Sequence, residues 1–164
     1  SAPATSRSAS VASSASGTTS KAGAAAVVIP DAAKAHTKDG AKAFVKFYWE
    51  TLDQLDAAPK VGVLEQLAAS DCQSCISQRN TIASMVRDGS HIDAASPHLS
   101  NVSIRSDSTN DSVIVTFHQT APPATKVSAN GKRAILPKTS LKVAARADWV
   151  GNTWRLGESG ADQN

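Results

Sequence analysis

The spacing of apolar and polar positions changes along the chain and divides it into a helical half and a strand half. After Thr37, the residues Ala41, Phe44, Val45, Tyr48, Leu52 and Leu55 recur three and four apart, which lines one face of an α-helix. With Thr37 as N-cap, the spacing predicts helix A over 38–56. Phe47 and Trp49 fall beside that stripe, where they either widen the core face or line a pocket. Ala57-Ala58-Pro59 breaks the pattern, and Val61, Leu64, Leu67 and Ala68 predict a short helix B over 61–69. Ile76, Ile82, Ala83 and Val86 predict helix C over 73–88, capped by Asp71 and stopped by Gly89.

Beyond Pro97 the period falls to two, the signature of strands. Strands are expected at 101–105 and 112–118, the second with Val113, Val115 and Phe117 on one face and Ile114, Thr116 and His118 on the other. Asn130-Gly131 signals a type I′ hairpin turn, because both residues tolerate positive φ. Leu141, Val143, Ala145, Ala147 and Trp149 alternate along a further strand, and Trp154 and Leu156 repeat the pattern after Gly151-Asn152. The expected class is α+β: three N-terminal helices packed on a curved antiparallel sheet, with helix A crossing the concave side. Phe44, Tyr48, Phe117, His118 and Trp154 are the residues expected to line the resulting cone.

Composition adds a boundary at each end. Ser, Ala and Thr make up 20 of the first 26 residues, too few apolar groups to offset the entropy of ordering the segment. Residues 1–26 therefore read as a disordered tether, 27–158 as the folded domain and 159–164 as a flexible tail. The chain opens at Ser1 without a signal sequence, as a processed product would. Its net charge of +3 includes Arg7 and Lys21 of the tether, and no basic stripe with interleaved aromatics marks a nucleic-acid surface. Lys126, Lys132, Arg133, Lys138 and Lys142 give the hairpin region a positive rim, read as a solvated surface. No apolar run is long enough to span a bilayer as a helix.

Cys72 and Cys75 are the whole thiol inventory. A structural disulfide in an oxidising compartment is the leading reading, ahead of a redox pair, half of a metal site, or free thiols. Such a bridge closes a four-residue loop and is worth about 2 kcal/mol by chain entropy. His36, His91, His98 and His118 are scattered without ligand spacing, so no metal site is expected. Walker, Rossmann, Gly-x-Ser-x-Gly and His-Glu-x-x-His motifs are all missing, so neither catalytic residues nor a cofactor are assigned.

The helical half with its strand half resembles the nuclear-transport-factor-2-like superfamily, a cystatin-like cone. More narrowly, Ile29-Pro30-Asp31-Ala32-Ala33, the run from His36 to Trp49, and Asp71-Cys72-Gln73-Ser74-Cys75 resemble an uncharacterised family of actinobacterial secreted lipoproteins. That resemblance implies a domain held on the outer face of the cell membrane by a lipidated cysteine of the precursor, which this chain does not contain, with residues 1–26 as spacer. The function expected is a non-enzymatic envelope adaptor binding an extracytoplasmic protein or membrane complex. The alternatives are a small-ligand-binding domain and an enzyme of the same superfamily, which fold alone does not distinguish.

Overall fold

The computed structural model describes residues 24–93 and 96–163. Most of the tether expected at 1–26 lies outside them. The chain enters without helix or strand from Ala24 to Pro30, and Gln66 fastens this entry: its Oε1 accepts from Val27 N (3.0 Å), and its Nε2 donates to Ala25 O (3.3 Å) and Gly62 O (2.8 Å).

Helix α1 spans Lys38–Ala57, with the Thr37 hydroxyl accepting from Gly40 N at 3.0 Å as its N-cap. Phe44, Val45, Tyr48 and Leu55 are buried along the expected stripe, and Trp49 joins them. Helix α2 spans Gln73–Asp88 and ends at Gly89, whose left-handed conformation allows the Ser90 amide to reach Met85 O at 2.9 Å. Its N-cap is Cys72, not Asp71: Cys72 Sγ accepts from Cys75 N at 3.2 Å. The bridge to Cys75 holds that sulfur at the first turn.

Two α-helices are present among the described residues, not three. The segment expected as helix B forms only a 3-10 turn at Leu64–Gln66. Gly62 sits at φ +84°, which is not helical, and nine residues are too few to repay helix nucleation. Leu64, Leu67 and Ala68 are nonetheless buried. Leu67 O accepts from Leu156 N and Ala69 N donates to Leu156 O, both at 2.9 Å, so the segment docks beside the last strand through an isolated parallel bridge between Ala68 and Leu156.

The strands are β1 (His91–Asp93), β2 (His98–Ile104), β3 (Ser112–Ala121), β4 (Ala124–Val127), β5 (Arg133–Leu136), β6 (Thr139–Val150) and β7 (Thr153–Gln163). Among the described residues they form two antiparallel sheets, ordered β2-β3-β6-β7 and β1-β4-β5, where the sequence suggested one. Both grow from a single long hairpin whose register runs from Ser112↔Asp148 to Ala121↔Thr139 and resumes in step from Ala124↔Leu136 to Val127↔Arg133. The gap falls where Pro122 and Pro123 meet Pro137 and Lys138. Three residues there have no N–H for the ladder, so the hairpin is cut in two.

Two further expectations are corrected. Only Gly131 of the Asn130-Gly131 pair has positive φ (+79°), so the turn is not type I′. Gly131 N instead donates to Ser128 O at 2.8 Å and Asn130 Oδ1 accepts from Lys132 N, making a three-residue loop. Paired positive φ occurs at Gly151 and Asn152, between β6 and β7. The tail expected from 159 is strand: β7 continues to Gln163, pairing with Leu141, because alternation of small residues suits a sheet edge as well as it suits a loop.

Candidate functional site

The interior between the helices and the sheet, where the sequence placed a site, is filled. Phe44, Tyr48, Phe117 and Trp154 are each at most 1% exposed. Their polar tips are satisfied inside the protein: the Tyr48 hydroxyl donates to Gln78 Oε1 at 2.7 Å, and the Trp154 indole donates to Ala35 O at 2.8 Å. Burial is the main cause pushing the Tyr48 hydroxyl above its ordinary pKa. Trp49 closes the base, edge-on to Phe117 at 5.0 Å between ring centroids.

His118, expected among the cone-lining residues, lies on the other side of the sheet. Along β3 the buried positions are Val113, Val115 and Phe117, so the next residue faces away, with Ser100 and Lys142 as its cross-strand neighbours. Cys72 and Cys75 form a disulfide with no solvent exposure. A bridge without access for an attacking thiolate is placed for structure, pinning the N-cap of α2 to its first turn. His36 serves another structural contact. It stacks on Trp149 at 4.3 Å with planes 4° apart, and its Nε2 lies 2.6 Å from Asp111 Oδ1.

An open concavity lies outside this core, at the C-terminal end of α1. Three adjoining hollows of about 250, 230 and 370 Å³ share Asp53 and Pro97. One wall is α1, through Trp49, Asp53, Gln54, Asp56 and Ala57; Gln78 and Ile82 of α2 border its inner part. The opposite wall is the interrupted hairpin, with Gln119, Ala121, Pro122, Leu136 and Pro137. The proline gap that divides the sheet thus also shapes the groove.

Its electrostatics are one-sided. Asp53 and Asp56 form no ion pair or hydrogen bond among the described residues, and they sit near a helix end that already carries negative carbonyl charge with no basic residue in the last turn. Burial, aided by the neighbouring Asp53 charge, raises the Asp56 pKa to about 6. On the far wall Gln119 Oε1 accepts from the Trp49 indole at 3.0 Å, which fixes the side chain across the groove floor. Such a site suits a cation with apolar neighbours. No group of three or more metal-type side chains occurs among the described residues, and no His or Cys is among the lining residues named for these hollows.

The sequence pattern alone gave no role to Asp53, Asp56 or Gln119. Two signals were available. Gln119 is in phase with Phe117 and so points to the helix side of the sheet, and two carboxylates three apart close a helix that has no cation near its end.

Residues 18–159 match DUF6318, described as a family of unknown function. No curated protein matches the chain. Among solved structures, the intermembrane space region of the chloroplast protein ARC6 is similar at 11% identity and TM-score 0.56, over 76% of this chain and 95% of that one. An uncharacterised protein with a cystatin-like fold from Caulobacter vibrioides is similar at 12% identity and TM-score 0.51, over 79% and 91%. A nuclear transport factor 2 (NTF2-like) superfamily protein from Salmonella enterica aligns at 14% identity and TM-score 0.45, over 77% and 89%. The first two likenesses establish the α+β, cystatin-like fold and nothing about activity. Since the family match takes in both helices and reaches into the last strand, the chain belongs to DUF6318, a family of unknown function.

Proposed function

We propose that this domain is a non-enzymatic accessory module of the cell envelope, holding an extracytoplasmic protein or membrane complex through the groove at the end of α1. The observation that carries the reading is the contrast between a filled aromatic interior and an open groove with two unpaired carboxylates. A buried disulfide supports an oxidising compartment, and the lipoprotein resemblance supports attachment of the precursor to the outer face of an actinobacterial membrane. Register irregularities between Ser100 and Ser103, and between Arg146 and Ala147, support a curved sheet of the cone type. A second reading, a small-ligand domain, is favoured by the 370 Å³ hollow, a volume within the usual ligand-pocket range.

The test is site-specific photo-crosslinking in native membranes, with the probe at Gln54 on the groove rim or at Thr116 on the far face of β3, followed by mass spectrometry. The expected result is one protein captured at Gln54 and not at Thr116. Capture at Thr116 alone would move the interface to the outer sheet, and a retained metabolite with no captured protein would decide for the small-ligand reading.

A further inference from the structure

The groove combines an apolar wall with a negative end on a protein whose overall charge is positive, so its carboxylates are not part of a generally acidic surface. Ala121, Pro122, Leu136 and Pro137 supply the wall, and Asp53 and Asp56 face it from α1. Acidic side chains at a helix C-terminus oppose the backbone dipole, and here each also opposes the other three residues away. An arrangement that breaks a local rule without internal compensation marks a place where compensation comes from outside. The three hollows adjoin one another, which suits a length of extended chain better than a compact molecule.

We infer that the groove receives a segment of the partner protein bearing a lysine or arginine next to an apolar residue, the cation between Asp53 and Asp56 and the apolar side chain against the proline wall. This rests on the binding reading above and specifies its partner's chemistry. An arginine or lysine there forms charge-assisted hydrogen bonds in a partly desolvated site, and the flanking apolar group gives area. Trp49 and Gln119, fixed to each other at the floor, leave the two carboxylates as the titratable groups of the 230 and 370 Å³ hollows; Glu50 borders the 250 Å³ one. Binding is therefore expected to weaken on acidification through the range in which Asp56 gains its proton.

The test uses the full chain, labelled with nitrogen-15, and the probe peptides acetyl-Leu-Lys-Leu-Lys-amide and acetyl-Leu-Glu-Leu-Glu-amide, with butylammonium as a third probe. The lysine peptide is expected to shift the amide signals of residues 53–57 and 119–121 saturably. The Asp53→Asn/Asp56→Asn variant, with its fold verified by its own spectrum, is expected to bind roughly tenfold more weakly, as loss of a partly buried charge pair does. Binding is expected to fall between pH 7 and pH 5, both values bracketing about 6, and to be flat over that range in the variant. Equal shifts by the glutamate peptide, shifts confined to other residues, or no shifts at all would overturn the inference. Butylammonium binding as tightly as the lysine peptide would overturn it too, by placing recognition in a small cation. If crosslinking at Gln54 still captures a protein while the lysine peptide fails, the partner's basic character is wrong and the groove reading stands; if both fail, the groove reading falls.

Discussion

Asp56 takes a proton more readily than a free aspartate, chiefly because burial penalises its charge, so its folded pKa lies near 6 against an ordinary 3.8. A raised folded pKa means that stability from this group is fully present below 3.8 and is lost as pH rises through about 6. Asp56→Asn should accordingly raise the neutral-pH melting temperature, by roughly 4 °C or about 1 kcal/mol once solvent screening at this half-exposed side chain is allowed for. Melts of variant and parent should converge near pH 4; parallel curves across the range would remove the account of Asp56. At this scale the sequence was legible where a residue's neighbours in the chain decide its role. Thr37 caps α1 as the pattern predicts, and Phe44, Tyr48, Phe117 and Trp154, expected to line a cone, are buried. The period of two already put His118 on the face opposite Phe117, and counting it among the cone-lining residues went against that pattern, whereas Asp56 shares its hollows with Pro97 and the hairpin wall, which no local pattern brings near α1.

At the scale of elements, the Cys72–Cys75 bridge fastens the first turn of α2, where Cys72 N also donates to Ala69 O of the preceding segment at the junction. Cys72→Ser/Cys75→Ser should cost about 2 kcal/mol, the chain-entropy worth of so short a loop, and leave the fold intact by circular dichroism. A global collapse of the near-ultraviolet signal would show that the bridge holds more than its junction. Helix ends were legible because caps are local: α1 and α2 begin and end within one residue of the expected positions. Helix B was not, because its apolar spacing was satisfied by pairing with Leu156, nearly ninety residues away. Pro122, Pro123 and Pro137 drew no reading from the sequence, because their facing positions across a hairpin appear only once the register is known. The basic residues around β5 also gain an explanation. β5 is a sheet edge with Ile135 82% exposed; Arg133 opens it and Lys132, Pro137 and Lys138 flank it, which discourages pairing with another chain.

For the whole molecule, the fold class followed from a helical half preceding a strand half, while the number of sheets and the position of the groove came from long-range contacts. Removing residues 1–23 keeps Ala25 and Val27 on Gln66, so the shortened chain should melt within about 0.5 kcal/mol of the full one, as surface changes do. A larger loss would make that segment part of the fold. The central claim is that binding uses the groove and not the filled interior, and it is open to occlusion. Ala57 is exposed and lines the largest of the three hollows around Asp53, so Ala57→Trp should fill it without touching the core. The decisive measurement is the yield of partner crosslinked at Gln54 for Ala57→Trp beside the parent, with near-ultraviolet circular dichroism of both. The account predicts an unchanged folded signal and loss of the crosslinked partner; an undiminished yield from the filled groove would contradict it.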